Sequence, residues 1–343
     1  MASLTDVAKR AGVSKTLVSR VINNQTGVGK ESRKRILAAM KEFSYTPNAL
    51  ARSLVLQKTQ TIGVVLDTLC EPYFFQLIRG IEDQIAKSSY DVIFCSGHND
   101  YNQKNRYIRF FSQGRVDGVL LYGSNLNDIE VIEQLCWSKF PFVVIENYSE
   151  EMDINNIVVD NAYGSKLAID HLYECGCRRI CHVTGDLKVK ASLDRRDGYL
   201  KALQKKGIPL SEAMVLEADF STQSGYDAIS AFLSDCDGDA MPDAFYFGSD
   251  VTAFGGMKAL EENGYRIPGD VMAVGFDDDR PPPNFDYAIT PLTTISQPLY
   301  DMGMSAVDML LAEIDGAVSQ KQKRIFYPSL IVRNTTVIKN KQR

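Results

Sequence analysis

From Thr61 onward, short apolar runs alternate with amphipathic segments, and this alternation constrains the chain more than any other feature. The runs are IGVVL (62–66), DVIFC (91–95), DGVLLY (117–122), FVVIE (142–146), RICHVT (179–184), DAFYFGSD (243–250) and VMAVGFDDD (271–279). Between them lie stretches with helical spacing, such as Phe75 to Lys87 and Gly164 to Cys175. Apolar strands alternating with helices imply an α/β fold, with parallel sheets covered on both faces. Two such sets, before and after about Asn161, predict two similar lobes. Ligands of such sheets lie beyond the carboxyl ends of the strands. That rule nominates Asp67–Phe75, His98–Tyr101, Gly123–Asn125, Glu146, Asn147, Gly185–Arg195, Ser249, Asp250 and Asp277. No G-x-G-x-x-G follows a strand, so a dinucleotide site has no support.

The first sixty residues differ in kind. LTDVAKRAGVSKTLVSRVI (4–22) reads as two short helices joined by a tight turn. Ser3 and Asp6 have capping-box spacing. Leu4, Val7, Ala8 and Ala11 follow at helical spacing. Gly12 supplies the positive φ that a helix end needs, and Ser14 can cap the second helix. At about 100° per residue, Leu17, Val18, Val21 and Ile22 share one arc of that helix, opposite Lys15, Thr16, Ser19 and Arg20. An apolar inner face with donors outside is what major-groove reading requires, although an ordinary amphipathic surface helix has the same pattern. Charge separates the two readings. Residues 1–60 hold eleven Lys/Arg against three acids, a net +8, which leaves −13 on the rest of a 343-residue chain whose total is −5. A basic head on an acidic body implies a polyanion partner for the head alone.

A third helix is expected over about Ser32–Phe43. The preceding Gly27, Gly29 and Lys30 do not make a phosphate loop, because Asn24 and Glu31 stand where Gly and Ser/Thr are needed. Pro47 breaks the helix, and Ala49–Leu56 has room for about two turns that order on meeting a partner, or else form a plain linker. Seven irregularly spaced cysteines, with no export signal, are expected as reduced thiols in a cytoplasm. Cys175, Cys177, Cys181 and His182 lack the two separated ligand pairs of the usual zinc spacings, so no metal and no cofactor is expected. No apolar run reaches membrane-spanning length.

LTDVAKRAGVSKTLVSRVIN, YTPNALARSL and IGVV strongly resemble the N-terminal half of LacI/GalR-type transcription regulators. EPYFFQLIRGIED, GRVDGVLLYG, DNAYGSKLAIDHL, RRDGYLKAL, GSDVTAFGGMKAL, VGFDDD and PLTTISQP continue the resemblance, in the family's order, almost to the end of the chain. The resemblance implies a three-helix helix-turn-helix head (1–46), a hinge helix and linker (47–60), and a two-lobed core like periplasmic binding proteins (61–337). Lobe 1 would take about 61–160 and 291–322, lobe 2 about 161–290 and 323–337, with a tail at 338–343.

It further implies a homodimer on an inverted-repeat operator. Thr5, Ser14, Lys15, Thr16, Ser19, Arg20 and Asn23 would contact DNA from the head, and Asn48, Ala51 and Leu54 from the hinge. A small effector, a sugar or sugar derivative, would bind between the lobes at Phe74, Glu146, Arg195, Ser249, Asp250, Phe276 and Asp277. A purine or other non-sugar effector stays open, and Asp250 fits a helix cap as well as a ligand contact. The implied function is a repressor of carbohydrate-utilisation genes, not an enzyme. The rivals are a catabolite regulator with a phosphoprotein partner, a periplasmic-type sugar-binding protein, and a sugar-modifying enzyme using Asp277 and Glu146 as its acid–base pair.

Overall fold

In the head, Ser3 accepts the amide of Asp6 on its hydroxyl at 3.3 Å and donates its own amide to Asp6 Oδ2 at 2.8 Å. This capping box starts α1 (Leu4–Ala11), and Gly12, at φ 63°, ends it. Leu17 N–H donates to Ser14 Oγ at 3.2 Å at the start of α2 (Lys15–Ile22). The third helix, α3, runs Lys30–Glu42. Val7, Ala8, Ala11, Val18, Val21, Ile36 and Ala39 meet in one small core, which accounts for the apolar arcs of all three helices. The computed structural model describes residues 2–22, 26–45, 58–147, 152–209, 214–236, 240–281, 290–317 and 320–338. The chain divides into two compact units, 1–60 and 61–343.

The larger unit contains two six-stranded sheets. The first is built from β1 (Thr61–Leu66), β2 (Asp91–Ser96), β3 (Gly118–Tyr122), β4 (Phe142–Ile145), β5 (Asn155–Val159) and β11 (Lys323–Phe326), in the order β11-β5-β4-β3-β1-β2. The second is built from β6 (Ile180–Val183), β7 (Val215–Leu216), β8 (Ala244–Phe247), β9 (Met272–Asp277), β10 (Thr293–Ser296) and β12 (Ser329–Ile331), in the order β12-β10-β9-β8-β6-β7. All pairings are parallel except β10 with β12.

The continuous apolar strands follow from two-sided burial. In β1, Ile62, Val64 and Leu66 face α4 (Tyr73–Ile85) and α11 (Leu299–Ile314). Val65 faces α5 (Tyr101–Ser112) and α6 (Ile129–Ser138). In the second lobe, α7 (Asn161–Glu174) and α8 (Lys190–Lys206) cover one face of the sheet, and α9 (Thr222–Asp235) and α10 (Asp250–Glu262) the other. The helix pair α4/α11 crosses through facing glycines. A Cβ on Gly80 would stand 2.1 Å from Tyr300 O, and one on Gly303 2.3 Å from Leu77 O.

The lobe boundaries differ from those expected. Residues 291–322 do not all join lobe 1, and 323–337 do not all join lobe 2. β10 pairs with β9 in the second sheet, and β11 pairs with β5 in the first. The physical reason is that Thr293 and Thr294 are buried and bonded within lobe 2, to Thr336 and Asp250 respectively. The apolar stripe that covers lobe 1 starts only at Leu299, after Gln297-Pro298. The chain therefore crosses between lobes after β5, after β10 and after β11.

Candidate functional site

On the head, Thr5, Ser14, Lys15, Thr16 and Arg20 are exposed, and Ser19 is half-buried. Burial of Val18 and Val21 fixes the roll of α2, so Lys15, Thr16 and Arg20 face solvent together. Ser14 also has a structural duty, as acceptor for the Leu17 amide. Arg10 forms a two-point ion pair with Glu42 that ties α1 to α3. Asn23, Asn48, Ala51 and Leu54 lie outside the described residues.

The core holds a cleft of about 580 Å³ lined from both lobes. Lobe 1 contributes Asp67, Thr68, Tyr73, Phe74, His98, Tyr122 and Ser124 among others, and lobe 2 contributes Val189, Ala191, Arg195, Phe220, Ser249, Val251, Asp277 and Asp279. Most of these follow directly on the carboxyl ends of strands, as the topology rule requires. Several strand ends carry positive φ at residues other than glycine: His98 (51°), Asn99 (54°), Glu146 (66°), Asp277 (107°) and Asp278 (62°). Backbone held in this region costs free energy and persists where the surroundings over-determine it.

Arg195 is the centre of the polar network. It is 3 % exposed. Its Nε donates to Asn161 Oδ1 at 2.9 Å, its Nη1 to Gly248 O, and its Nη2 lies 3.3 Å from Asp277 Oδ1. The guanidinium carbon stands 3.7 Å from the centroid of Phe276, so that ring is a platform beneath the cation. Asp277 Oδ1 also accepts from Gln297 Nε2 at 2.7 Å. Burial pushes Asp277 up to about 6 against the opposing pull of Arg195 and Gln297.

Of the residues expected at the effector, Phe74, Arg195, Ser249 and Asp277 line the cleft. Glu146, Asp250 and Phe276 stand behind its lining. Glu146 accepts from Val159 N at 3.0 Å and from Asn161 Nδ2 at 3.4 Å. Burial pushes Glu146 up to about 7, opposed by the Val159 amide, Arg195 and Asn161. It thus supports Asn161, which in turn holds Arg195. Asp250 does not cap α10. Ser249 does, by accepting from Thr252 N, while Asp250 accepts from Thr294 Oγ1 at 2.7 Å and Asp279 N at 2.8 Å. Burial, then the nearby Asp277, raises Asp250 well above the usual carboxylate range.

Tyr122, Phe220, Val251 and Asp279 line the cleft although no sequence pattern nominated them. Phe74 meets Tyr73 and Tyr122 edge-on, each at 5.0 Å. A buried lysine, Lys104, lies 2.6 Å from both Asp67 Oδ1 and Asp128 Oδ2. Ser124 Oγ donates to Asp67 Oδ2 at 2.9 Å. Such a buried triad of charges is costly to desolvate and costlier to break. Asp279 is pushed up to about 7 by burial and then by Asp277, Glu71 and Asp278. Carboxylates therefore outnumber cations around the cleft.

The cysteine cluster does not converge. Cys177 Sγ lies 3.8 Å from Met272 Sδ, Cys175 Sγ lies 3.7 Å from His171, and His182 stacks on Tyr246 at 4.6 Å. Among the described residues no group of His, Cys, Asp and Glu is arranged to hold a metal ion, and no helix is long and apolar enough to cross a membrane.

Residues 3–48 match the profile of bacterial regulatory proteins of the lacI family, and residues 169–336 that of a periplasmic binding protein-like domain. The chain is 36% identical over 336 residues to the HTH-type transcriptional repressor PurR of Erwinia tasmaniensis, covering 98% of this chain and 97% of that protein. Among solved structures, the lac repressor dimer bound to operator and the anti-inducer ONPF is 28% identical, with TM-score 0.85 over 98% of this chain and 99% of that one. The complex of the transcriptional regulator CelR with cellobiose is 27% identical, with TM-score 0.73 over 98% and 100%. The helix-turn-helix head, the two-lobed parallel-sheet core and these likenesses lead to one conclusion: the chain belongs to the lacI family of bacterial regulatory proteins and is a DNA-binding transcriptional repressor.

Proposed function

We propose that this repressor is controlled by a small, uncharged, polyhydroxylated ligand, a sugar or sugar derivative, held between the two lobes of the core, and that it governs carbohydrate-utilisation genes. The observation that carries the reading is the Arg195–Asp277 pair, set on the Phe276 ring and facing an aromatic-walled cleft. A guanidinium and a carboxylate side by side offer donors and acceptors to neighbouring hydroxyls, and Tyr73, Phe74 and Phe220 offer apolar faces to a ring. The surplus of carboxylates disfavours an anionic ligand. The CelR–cellobiose complex has the same two-lobed architecture. Glu146, which with Asp277 would make an acid–base pair, is occupied by Val159 and Asn161 and does not line the cleft.

On DNA, a homodimer places its two α2 helices in successive major grooves of an inverted repeat. Lys15, Thr16 and Arg20 read base edges, and Thr5, Ser14, Ser19 and Asn23 hold phosphates. Asn48, Ala51 and Leu54 meet the minor groove through the hinge. The dimer of the lac repressor on its operator supports this arrangement. The ligand favours one arrangement of the lobes, and the hinge passes that preference to the heads. Ligand and operator thus alter each other's affinity by the same factor.

A second reading, a purine or other planar heterocycle, is favoured by Phe74 and Phe220, which approach the cleft from opposite lobes. The test is to select the operator from a random duplex library. The full chain is then titrated with sugars and with purine bases while operator affinity is followed. A sugar that shifts operator affinity about 5- to 150-fold, and no longer does so in Arg195→Met, supports the reading. A ligand that binds in the cleft and leaves operator affinity unmoved refutes it.

A further inference from the structure

We propose that the loop after β3 and the loop before α8 form a backbone latch that sets the spacing of the two lobes. Leu126 N donates to Lys188 O at 2.9 Å, and Lys190 N donates to Ser124 O at 3.0 Å. Asn125 and Val189 sit opposite each other as an antiparallel bridge. The two loops belong to different lobes, and none of the three crossovers of the chain passes through them. Rotation of one lobe against the other breaks both bonds together.

Each half of the latch is fixed to its own lobe. On the lobe 1 side, Ser124 Oγ donates to Asp67, Asn125 N donates to Asp128 Oδ2 at 3.1 Å, and Asn147 Nδ2 donates to Asn125 O at 3.0 Å. Asp67 and Asp128 are the two carboxylates that share Lys104. On the lobe 2 side, Lys188 N donates to Asp186 Oδ1 and Val189 N to Asp186 O, each at 2.9 Å. Lys190 then opens α8, the helix that carries Arg195. Two braced loops that pair edge to edge transmit a displacement instead of absorbing it. Ser124 and Val189 also line the cleft. A ligand there touches both halves of the latch and biases it toward closure, a step that rests on the effector reading above.

Lys190→Pro tests the latch itself in the ligand-free full chain. Proline is accepted at the first position of a helix, and Val189, at φ −98° and ψ 128°, already has the backbone that a following proline requires. The substitution removes the N–H given to Ser124. Lys190→Ala is the control, since it also loses the side-chain pair with Asp194 but keeps the N–H. The readout is hydrogen exchange at the Leu126 amide, which neither substitution alters directly. A latch predicts exchange about tenfold faster at Leu126 in the proline variant than in the alanine variant, with unchanged protection in α8 around Tyr199. Equal exchange in the two variants overturns the proposal. Should the proline variant not fold, Asn125→Cys with Val189→Cys replaces it. Partners in such a non-hydrogen-bonded antiparallel pair stand about 4.5 Å apart at Cα, within disulfide reach. The latch predicts that both new thiols disappear on mild oxidation, leaving the parent's thiol count, and two thiols above the parent's count overturn it. Neither result bears on whether a sugar occupies the cleft, which Arg195→Met tests separately.

Discussion

Replacing Arg195 with methionine keeps an unbranched apolar stem over Phe276 and removes the guanidinium from Asn161, Gly248 and Asp277. Even with the cation in place, Asp277 is pushed up to about 6 and Glu146 to about 7 by burial. Without Arg195 both carboxylates lose a neighbouring cation that favoured their charged forms, and their folded-state values rise further. Removing one partner of a buried pair costs about 3–5 kcal/mol when the other stays ionised. The sign follows from linkage. A carboxyl whose folded value lies above its unfolded value destabilises the fold once pH rises through the folded value, and the penalty vanishes below the unfolded one. The loss in Arg195→Met is therefore largest at about pH 8. It falls to roughly 1–2 kcal/mol near pH 5, where protonated carboxyls leave only missing hydrogen bonds. Urea unfolding of the parent and variant at both pH values, followed by circular dichroism with a common slope, measures the two differences. An equal loss at both values, or a larger loss at the lower one, refutes the assignment of Asp277 and Glu146 as the groups that Arg195 holds ionised.

Lys15→Ala and Arg20→Ala should each weaken operator binding by about 1–3 kcal/mol, while melting temperatures stay close to the parent because both side chains are exposed. A loss uniform over all DNA sequences would assign them to phosphates instead of bases. Gly303→Ala should destabilise the core by about 3 kcal/mol or more, because its Cβ would stand 2.3 Å from Leu77 O. A melting temperature equal to the parent's would contradict that crossing. His182, fully buried between Tyr199 and Tyr246, is pulled down to about 4 by burial. It is neutral in the fold, so the stability it contributes is lost as pH falls from about 6.5 through about 4, by about 3 kcal/mol. His182→Phe should flatten that part of the acid titration relative to the parent, and an unchanged difference between the two proteins across that range would argue against a neutral buried imidazole.

The central strands of both sheets are legible because two-sided burial writes long apolar runs, and β1, β3, β4, β6, β8 and β9 fall where those runs stand, while β2 shows the same kind of run at a half-exposed sheet edge. β5 opens with Asn155-Asn156, β7 and β12 span only two and three residues, and β10 and β11, with the sequences TTIS and KRIF, carry few apolar residues. The same weakness hides the lobe boundary near residue 291 from a reading of the sequence. Thr293–Ser296 carries little apolar signal, and its membership in lobe 2 is decided by side-chain hydrogen bonds to distant residues. The strand-end rule found the neighbourhood of the cleft but not the direction of each side chain. Glu146 and Asp250 sit at strand and helix ends as expected, yet turn inward to satisfy backbone and threonine donors. Lys104 left no mark at all, since a lysine in an amphipathic helix ordinarily faces water. Trp137, the single tryptophan and a natural optical probe, is 79 % exposed on α6 and does not line the cleft, so it is a poor reporter of ligand there.

The interleaving of the sheets has a genetic consequence. Neither lobe is a contiguous message. Lobe 1 needs β11 from residues 323–326, and lobe 2 needs β10 and β12 from residues 293–296 and 329–331. A stop codon anywhere between residues 61 and 292 strips strands from both sheets at once, while the head, with its own core of seven apolar side chains, is encoded intact upstream. Truncating lesions should thus leave a head with no working sensor wherever they fall between residues 61 and 292. Partial function of the core should therefore survive substitutions but not loss of the gene's 3′ end.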